Sequence, residues 1–210
     1  MYIPKFFASD DDAQARRIVS EHAFGLLMTL PDGEGDVDIS HLPMLWLDGA
    51  GPHGRLIGHV ARANPHGACL EAGAASVAVF SGPHAYISPN WYANTGLVPT
   101  WNYAAVHLHG KAVAVSDEAR ACWILDALVG AFESDTTGNW STGDLADGML
   151  ERQLKGIVAF EMPVDRIETK LKMSQNRKPE DIAGVIQALS DSDRPEDKAT
   201  AGMMRRLNAR

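Results

Sequence analysis

At 210 residues the chain is long enough to bury a good core, as one domain or as a domain with an appendage. Its 45% hydrophobic and 22% charged content is that of an ordinary globular protein, and a net charge of −8 opposes non-specific attraction to DNA or anionic membranes. The two isolated cysteines make neither a disulfide framework nor a zinc site, no apolar run approaches the roughly 18–20 residues of a membrane span, and Met1–Phe7 lacks the apolar core of a signal peptide, so a cytoplasmic protein is expected.

In chain order, Ser9-Asp10-Asp11-Asp12 has the form of an N-cap and acidic first turn, with Asp12 placed for a capping box, and predicts a helix over 10–21. Phe24–Leu30 reads as a buried strand ended by the turn Pro31-Asp32-Gly33, and Val37–Leu47 as its antiparallel partner. A strand follows at Arg55–Ala61, then a helix with Asn64 as cap and Pro65 at its first position. Strands are expected over 75–81, 84–88 and 103–115, with Gly110 kinking the last or allowing close backbone approach. Ser116 caps a helix through about Phe132 whose apolar face, including Trp123, Ile124, Leu128 and Phe132, is broad enough to predict burial. Residues 134–143 read as a loop, 145–154 as helix, 156–162 and 166–172 as strands. Pro179 and Pro195 open two closing helices, to about Leu189 and about 207. Many strands joined mostly by turns, with helices gathered at the ends, fit a closed antiparallel barrel with helical additions; periodicity leaves barrel against sandwich open.

The chain is organised around residues 82–110. Five of its nine Trp and Tyr residues fall there: Tyr86, Trp91, Tyr92, Trp101 and Tyr103. They are interleaved with Pro83, Pro89 and Pro99, which fix φ and remove donors. Stiff backbone bearing rings with polar tips suits a preformed pocket for a flat, partly polar ligand, or equally a corner of the core capped by aromatics.

Tyr86-Ile-Ser-Pro-Asn-Trp-Tyr92 and Pro99-Thr-Trp-Asn-Tyr103 resemble the signature of the PaiB-like family, FMN-binding negative transcriptional regulators with a split-barrel fold. Met1-Tyr2-Ile3-Pro4, Ser40-His41-Leu42-Pro43, the run Gly58 to Pro65, and Lys172-Met173-Ser174-Gln175-Asn176 agree, in the family's order, over nearly the whole chain. Departures are small: Asn90 where Ser is expected, Gly67 where an aromatic is common, Met173 where Leu is common. The resemblance implies a mainly β, Greek-key-like FMN-binding split β-barrel over 1–172 with embedded helices, a helical extension over 173–210, and a homodimer with flavin at its interface. Segments 41–43 and 59–64 would then face 88–103 of the other chain.

Flavin mononucleotide needs anchors for a phosphate, a ribityl chain and a flat three-ring head. Gly58–Pro65 runs from strand into helix start and offers Arg62 for bidentate phosphate contact, with His59, Ala63, Asn64 and unsatisfied N–H groups beyond Asn64. The plainer reading is a surface arginine and an ordinary cap; the resemblance makes Arg62 first choice. Ser40, His41, Leu42 and Pro43 sit on a strand whose backbone can read a ring edge, though His41 reads equally as a core histidine. Ser88, Trp91 and Tyr92 belong to the first aromatic block. Thr100, Trp101 and Asn102 offer a hydroxyl, an aromatic wall and an amide with donor and acceptor, unless Asn102 merely holds a turn.

Lys170, Lys172, Arg177, Lys178 and Arg166 make the densest basic patch. With Ser174, Gln175 and Asn176 adding polar contacts, it ranks first as a second phosphate anchor or a clamp near the flavin, then as a solvated face, then as a nucleic-acid contact. His107 and His109 share a strand face, but the carboxylate or thiolate neighbours of a metal site are missing from the local sequence, so no metal is assigned. No catalytic base or nucleophile stands out. Two alternatives stand beside the regulator: an FMN-dependent oxidoreductase of pyridoxamine-phosphate-oxidase-like fold, and a haem-binding or haem-degrading split barrel using His107 or His109. DNA contact is opposed by the net charge, and repression through a partner or small-molecule signal is the expectation that fits.

Overall fold

A computed structural model describes residues 1–31 and 36–208, so most of the expected turn at Pro31-Asp32-Gly33 lies outside the described residues. The elements are α1 (Asp12–Glu21), β1 (Phe24–Thr29), β2 (Asp38–Pro43), β3 (Leu45–Leu47), β4 (Arg55–Ala61), α2 (His66–Ala72), β5 (Ala75–Ile87), β6 (Thr100–Lys111), β7 (Val113–Ala114), α3 (Glu118–Phe132), α4 (Met149–Leu154), β8 (Ile157–Lys172), α5 (Pro179–Asp191) and α6 (Pro195–Asn208). The strands follow the order β2-β1-β5-β6-β8-β4-β3, with β7 beside β8. Pairings β1–β2, β1–β5, β3–β4, β4–β8 and β7–β8 are antiparallel. The expected class, a mainly antiparallel split barrel with helical additions, is the one formed.

Two compact units are built from interleaved segments. The first comprises Met1–Glu21, Ser81–Val106 and Glu168–Arg210; the second comprises His22–Phe80 and His107–Ile167. The first unit's core holds Ile18, Ile87, Val106, Met173, Val185, Leu189 and Met204; the second's holds Leu27, Met44, Leu56, Phe80, Leu108, Phe160 and Met162, all essentially without solvent contact. Burying each such side chain contributes roughly 1.5–3 kcal/mol.

Several expected elements differ, each for a local reason. The single strand 37–47 is two: Pro43 has no N–H to continue the ladder, the Met44 N–H donates to Ala23 O at 3.0 Å, and β3 turns to pair with β4. Strands 75–81 and 84–88 are one, because Gly82 does not turn; a Cβ there would meet the Ala104 Cβ at 3.0 Å. Strands 156–162 and 166–172 are likewise one, whereas 103–115 breaks at Ala112 and only Met149–Leu154 of 145–154 is helical. In α1 the cap falls to Asp11, whose Oδ1 accepts from Ala13 N (3.0 Å) and Gln14 N (3.3 Å). Asp117, not Ser116, caps α3 through Arg120 N at 2.6 Å. Only Ile124 and Leu128 of that helix are buried, against Ile57 and Ala159. Trp123 and Phe132 stay exposed, the indole covered instead by the Arg120 guanidinium at 3.8 Å.

Candidate functional site

The second unit holds Ser40–Pro43, His59 and Arg62–Asn64. Strand alternation turns Ser40 and Leu42 inward and His41 outward, so His41 is no core histidine; its ring stacks on Phe24 at 6.2 Å. Ser40 enters a buried relay. Asn64 Nδ2 donates to Ser40 Oγ (3.0 Å), which lies 2.9 Å from His66 Nδ1; His66 Nε2 lies 2.8 Å from Thr29 Oγ1, itself 2.8 Å from Ser76 Oγ, which donates to Ala74 O (3.0 Å). The last bond fixes the rest. Ser76 must accept from Thr29 and Thr29 from His66 Nε2–H, leaving Nδ1 to accept from Ser40. Every link is satisfied with a neutral imidazole. Burial accordingly pushes the His66 pKa down, against the smaller upward pull of Asp38. No local motif marks His66, Thr29 and Ser76, because their partners are dozens of residues apart. The available signal was polar Thr29 at the same strand parity as core Leu27, which demands a buried partner.

His59 Nδ1 is buried without a partner, and burial lowers the ring's pKa. Gly58 precedes it because a Cβ there would lie 2.8 Å from the Phe160 ring. The free N–H groups expected beyond Asn64 are occupied: His66 N donates to Asn64 Oδ1, Gly67 N to Asn64 O and Ala68 N to Pro65 O, each at 3.0 Å. Asn64 spends its side chain on this turn and on Ser40. Ala63 is exposed, as is the Arg62 guanidinium, which lies 3.9 Å from Glu71 and borders a cleft of about 180 Å³ shared with Glu118, Glu151 and Lys155. A larger open cleft, about 670 Å³, is lined by Met28, Leu30, Val37, Val77 and Val79 with Lys111, Arg166 of the basic patch, and His107 and His109, the candidates of the haem alternative. His107 and His109 rings sit 6.3 Å apart, and His109 Nδ1 accepts from Arg166 at 3.0 Å.

The first unit holds Ser88, Trp91, Tyr92, Thr100–Asn102, Lys172, Ser174 and Gln175. Ser88 Oγ caps the turn Pro89–Trp91 by accepting from Asn90 N at 3.2 Å. The Tyr92 ring lies under the Arg177 guanidinium (5.5 Å), and its buried hydroxyl has no partner. Trp101 is half exposed, edge-on to Tyr86 at 6.0 Å and tilted against His84 at 6.3 Å. Asn102 neither faces a turn nor stands free: its amide donates to Ser174 Oγ (2.9 Å) and Met204 Sδ (3.4 Å). Gln175 is spent locally, accepting from Met173 N at 2.7 Å and donating to Leu171 O at 2.5 Å. The Lys172 ammonium donates to Thr100 Oγ1 and to Trp101 O (2.5 Å). Burial first, then Lys170 and Arg177, hold its pKa below the usual lysine range.

Helix α5 fixes the aromatic loop. The Asp181 carboxylate accepts from Asn94 N (2.9 Å) and Nδ2 (3.1 Å), and a Cβ on Gly184 would lie 2.2 Å from Trp91 O. Gly184→Ala is expected to cost about 1–3 kcal/mol by forcing the Trp91 carbonyl away, read as a lowered urea midpoint. An unchanged midpoint would show that the loop yields freely. Local reading missed Asp181 and Gly184 because they look like ordinary helix residues.

The sequence model of the Putative FMN-binding domain family matches residues 1–166. The chain is 36% identical over 204 residues to "Protease synthase and sporulation protein PAI 2" of Bacillus subtilis, covering 97% of this chain and 96% of that one. It is 26% identical over 243 residues to an uncharacterized Emericella nidulans protein, covering 98% and 96%. Among solved structures, the flavocytochrome Anf3 of Azotobacter vinelandii superposes with a TM-score of 0.62 at 17% identity, covering 87% of this chain and 78% of that one. The FAD- and haem-binding protein of Mycobacterium smegmatis superposes with 0.60 at 18%, covering 84% and 78%. At such identities these two structures establish likeness of fold.

Proposed function

Because the chain belongs to this FMN-binding domain family and FMN is its cofactor, we propose that it is a PaiB-like negative regulator of transcription whose flavin is held between two copies of the chain. The observation that carries the proposal is the pair of buried orphan atoms. Of the four side-chain polar atoms buried without a partner among the described residues, His59 Nδ1 and Tyr92 Oη belong to residues picked for the flavin from sequence. Native proteins leave few such groups, and a bound ligand would satisfy these two. Arg62 supplies an exposed guanidinium for the phosphate, and Trp91 and Trp101 supply faces for the ring head. Bound FMN would accept or donate electrons; the chain's own groups would orient it and exclude water.

A second copy is supported by the second unit's surface, where Phe24, Leu30, Val37 and Ile39 are large, apolar and exposed. The regulatory role is supported by the relative whose name ties it to protease synthesis and sporulation. The net charge of −8 favours action through a partner or small-molecule signal over direct DNA contact.

Flavin fluorescence titration tests the site. Arg62→Ala is expected to weaken FMN by about 1.5–3 kcal/mol, roughly 10- to 150-fold in Kd, while riboflavin binding is unchanged. Equal FMN affinity in the variant would move the phosphate elsewhere. Gel retardation of promoter DNA at physiological salt, with and without partner protein, tests regulation. Bleaching of bound flavin by reduced nicotinamide, with turnover on an acceptor, would replace the regulator with an oxidoreductase.

A further inference from the structure

The first unit contains a cationic cleft whose lining includes Thr100, Asn102, Lys172 and Ser174, residues also expected near the flavin. Phe7, Thr100, Asn102, Lys172, Ser174, Asn176 and Arg177 line a space of about 100 Å³. That is well below the roughly 300–1,000 Å³ of sites for whole small molecules, and suits a single polar group. Among the described residues no carboxylate borders it. Lys170, Lys172 and Arg177 have no acidic partner within ion-pair distance among the described residues, in a chain with eight more negative than positive charges.

The neighbours of these cations are neutral. Lys170 is nearly buried, donates to Tyr2 O at 3.0 Å, and lies 5.1 Å from the Tyr103 ring and 5.7 Å from Tyr2. Lys172 is held by a hydroxyl and a carbonyl, and its lowered pKa records repulsion from Lys170 and Arg177 on top of desolvation. Ser174 is held at φ 67°, a left-handed conformation rare outside glycine, which sets its hydroxyl against the Asn102 amide at the cleft. Three gathered cations with donors around them and no counter-charge make an unfavourable arrangement that a bound anion relieves.

We propose that this cleft is a site for a small oxyanion, a phosphate or carboxylate group, separate from the flavin phosphate assigned to Arg62. Lys172 is the central cation, Arg177 closes the rim, and the Thr100 and Ser174 hydroxyls turn toward the anion oxygens. The group belongs to a free anion or to an anionic second ligand, and it would give the protein a chemical signal to sense besides the flavin. The inference stands on cleft geometry and charge, so it survives failure of the flavin reading.

Thermal unfolding with inorganic phosphate as the probe tests it, with chloride at matched ionic strength as control. At one hundred times its Kd, phosphate is expected to raise Tm by about 5–10 °C in both the flavin-free and the FMN-loaded protein. Arg62→Ala keeps the shift. Lys172→Met abolishes it, and Arg177→Gln, at a half-buried side chain whose guanidinium lies over the Tyr92 ring, reduces it should Lys172→Met fail to fold. No phosphate-specific shift in wild type overturns the site. A shift in flavin-free protein that vanishes on FMN loading also overturns the proposal, because the cleft would then hold the flavin's own phosphate. Failure of FMN to bind at all is read separately, by flavin fluorescence.

Discussion

Gly110→Ala is expected to destabilise the protein by about 3 kcal/mol or more, near the upper end for a single added methyl. In this chain length that is a fall in Tm of roughly 10 °C. A Cβ at Gly110 would lie 2.1 Å from the Pro163 carbonyl oxygen and 3.0 Å from Met162 Cγ. The nearest atom is backbone, so no rotamer change relieves the clash; strand β8 has to move, and its pairing with β4 through Arg55↔Pro163 and Leu56↔Met162 moves with it. The close-approach reading of this glycine is the one realised. Gly130 is the internal control: it lies within α3 with nothing within 4 Å of a built Cβ, so Gly130→Ala should stabilise by about 1 kcal/mol. Urea midpoints moving in opposite directions for the two changes support the assignment. Equal midpoints for Gly110→Ala and wild type would mean that β8 accommodates the methyl without cost.

His66→Leu is expected to cost about 3 kcal/mol or more, because it strands polar groups while filling space well. Ser40 loses its acceptor and Thr29 its donor, each in a site closed to water, and an unsatisfied buried group costs about 1–3 kcal/mol. The same ring predicts a pH dependence whose sign follows from its protonation. Native His66 is held neutral with its pKa below the ordinary value, so the unfolded chain takes up the proton first as pH falls. Stability is therefore full above about pH 6.5 and declines below it, toward the lowered native pKa. His59, depressed by burial as well, adds to the same trend. Unfolding free energies at pH 7.5 and 5.5 should differ less in His66→Gln than in wild type. An equal difference would mean that other groups carry the acid sensitivity.

The candidate residues show why parts of the site were legible and parts were not. The strand Ser40–Pro43 was legible, but the sequence left His41 equally readable as a core histidine, and the structure turns it outward opposite Ser40 and Leu42. What Ser40 touches could not be read, since the answer is an imidazole 26 residues on, reached only after β2 and α2 pack. Asn64 reads from its Pro65 neighbour as a helix cap, but the helix starts one residue later, at His66, and the N–H groups expected beyond Asn64 are closed by its own side chain and carbonyl and by the Pro65 carbonyl. Asn102 looked like a ligand-reading amide; its partner Ser174 lies 72 residues away. The basic run 166–178 was visible as composition, whereas the missing counter-charges around Lys172 were not.

Period and turn residues were enough for a mainly β chain with helical additions and for the approximate place of most strands and helices, while blocks in the family's order supplied the split-barrel class and the FMN-binding family. Long-range packing is what makes Gly82-Pro83 continue a strand where Pro43 ends one, His66 the hub of a buried relay, and Asp181 and Gly184 the seat of the aromatic loop. Those outcomes depend on long-range contacts, in which a residue's role is set by whatever atom arrives within about 3 Å of it, and local pattern carries no record of that atom.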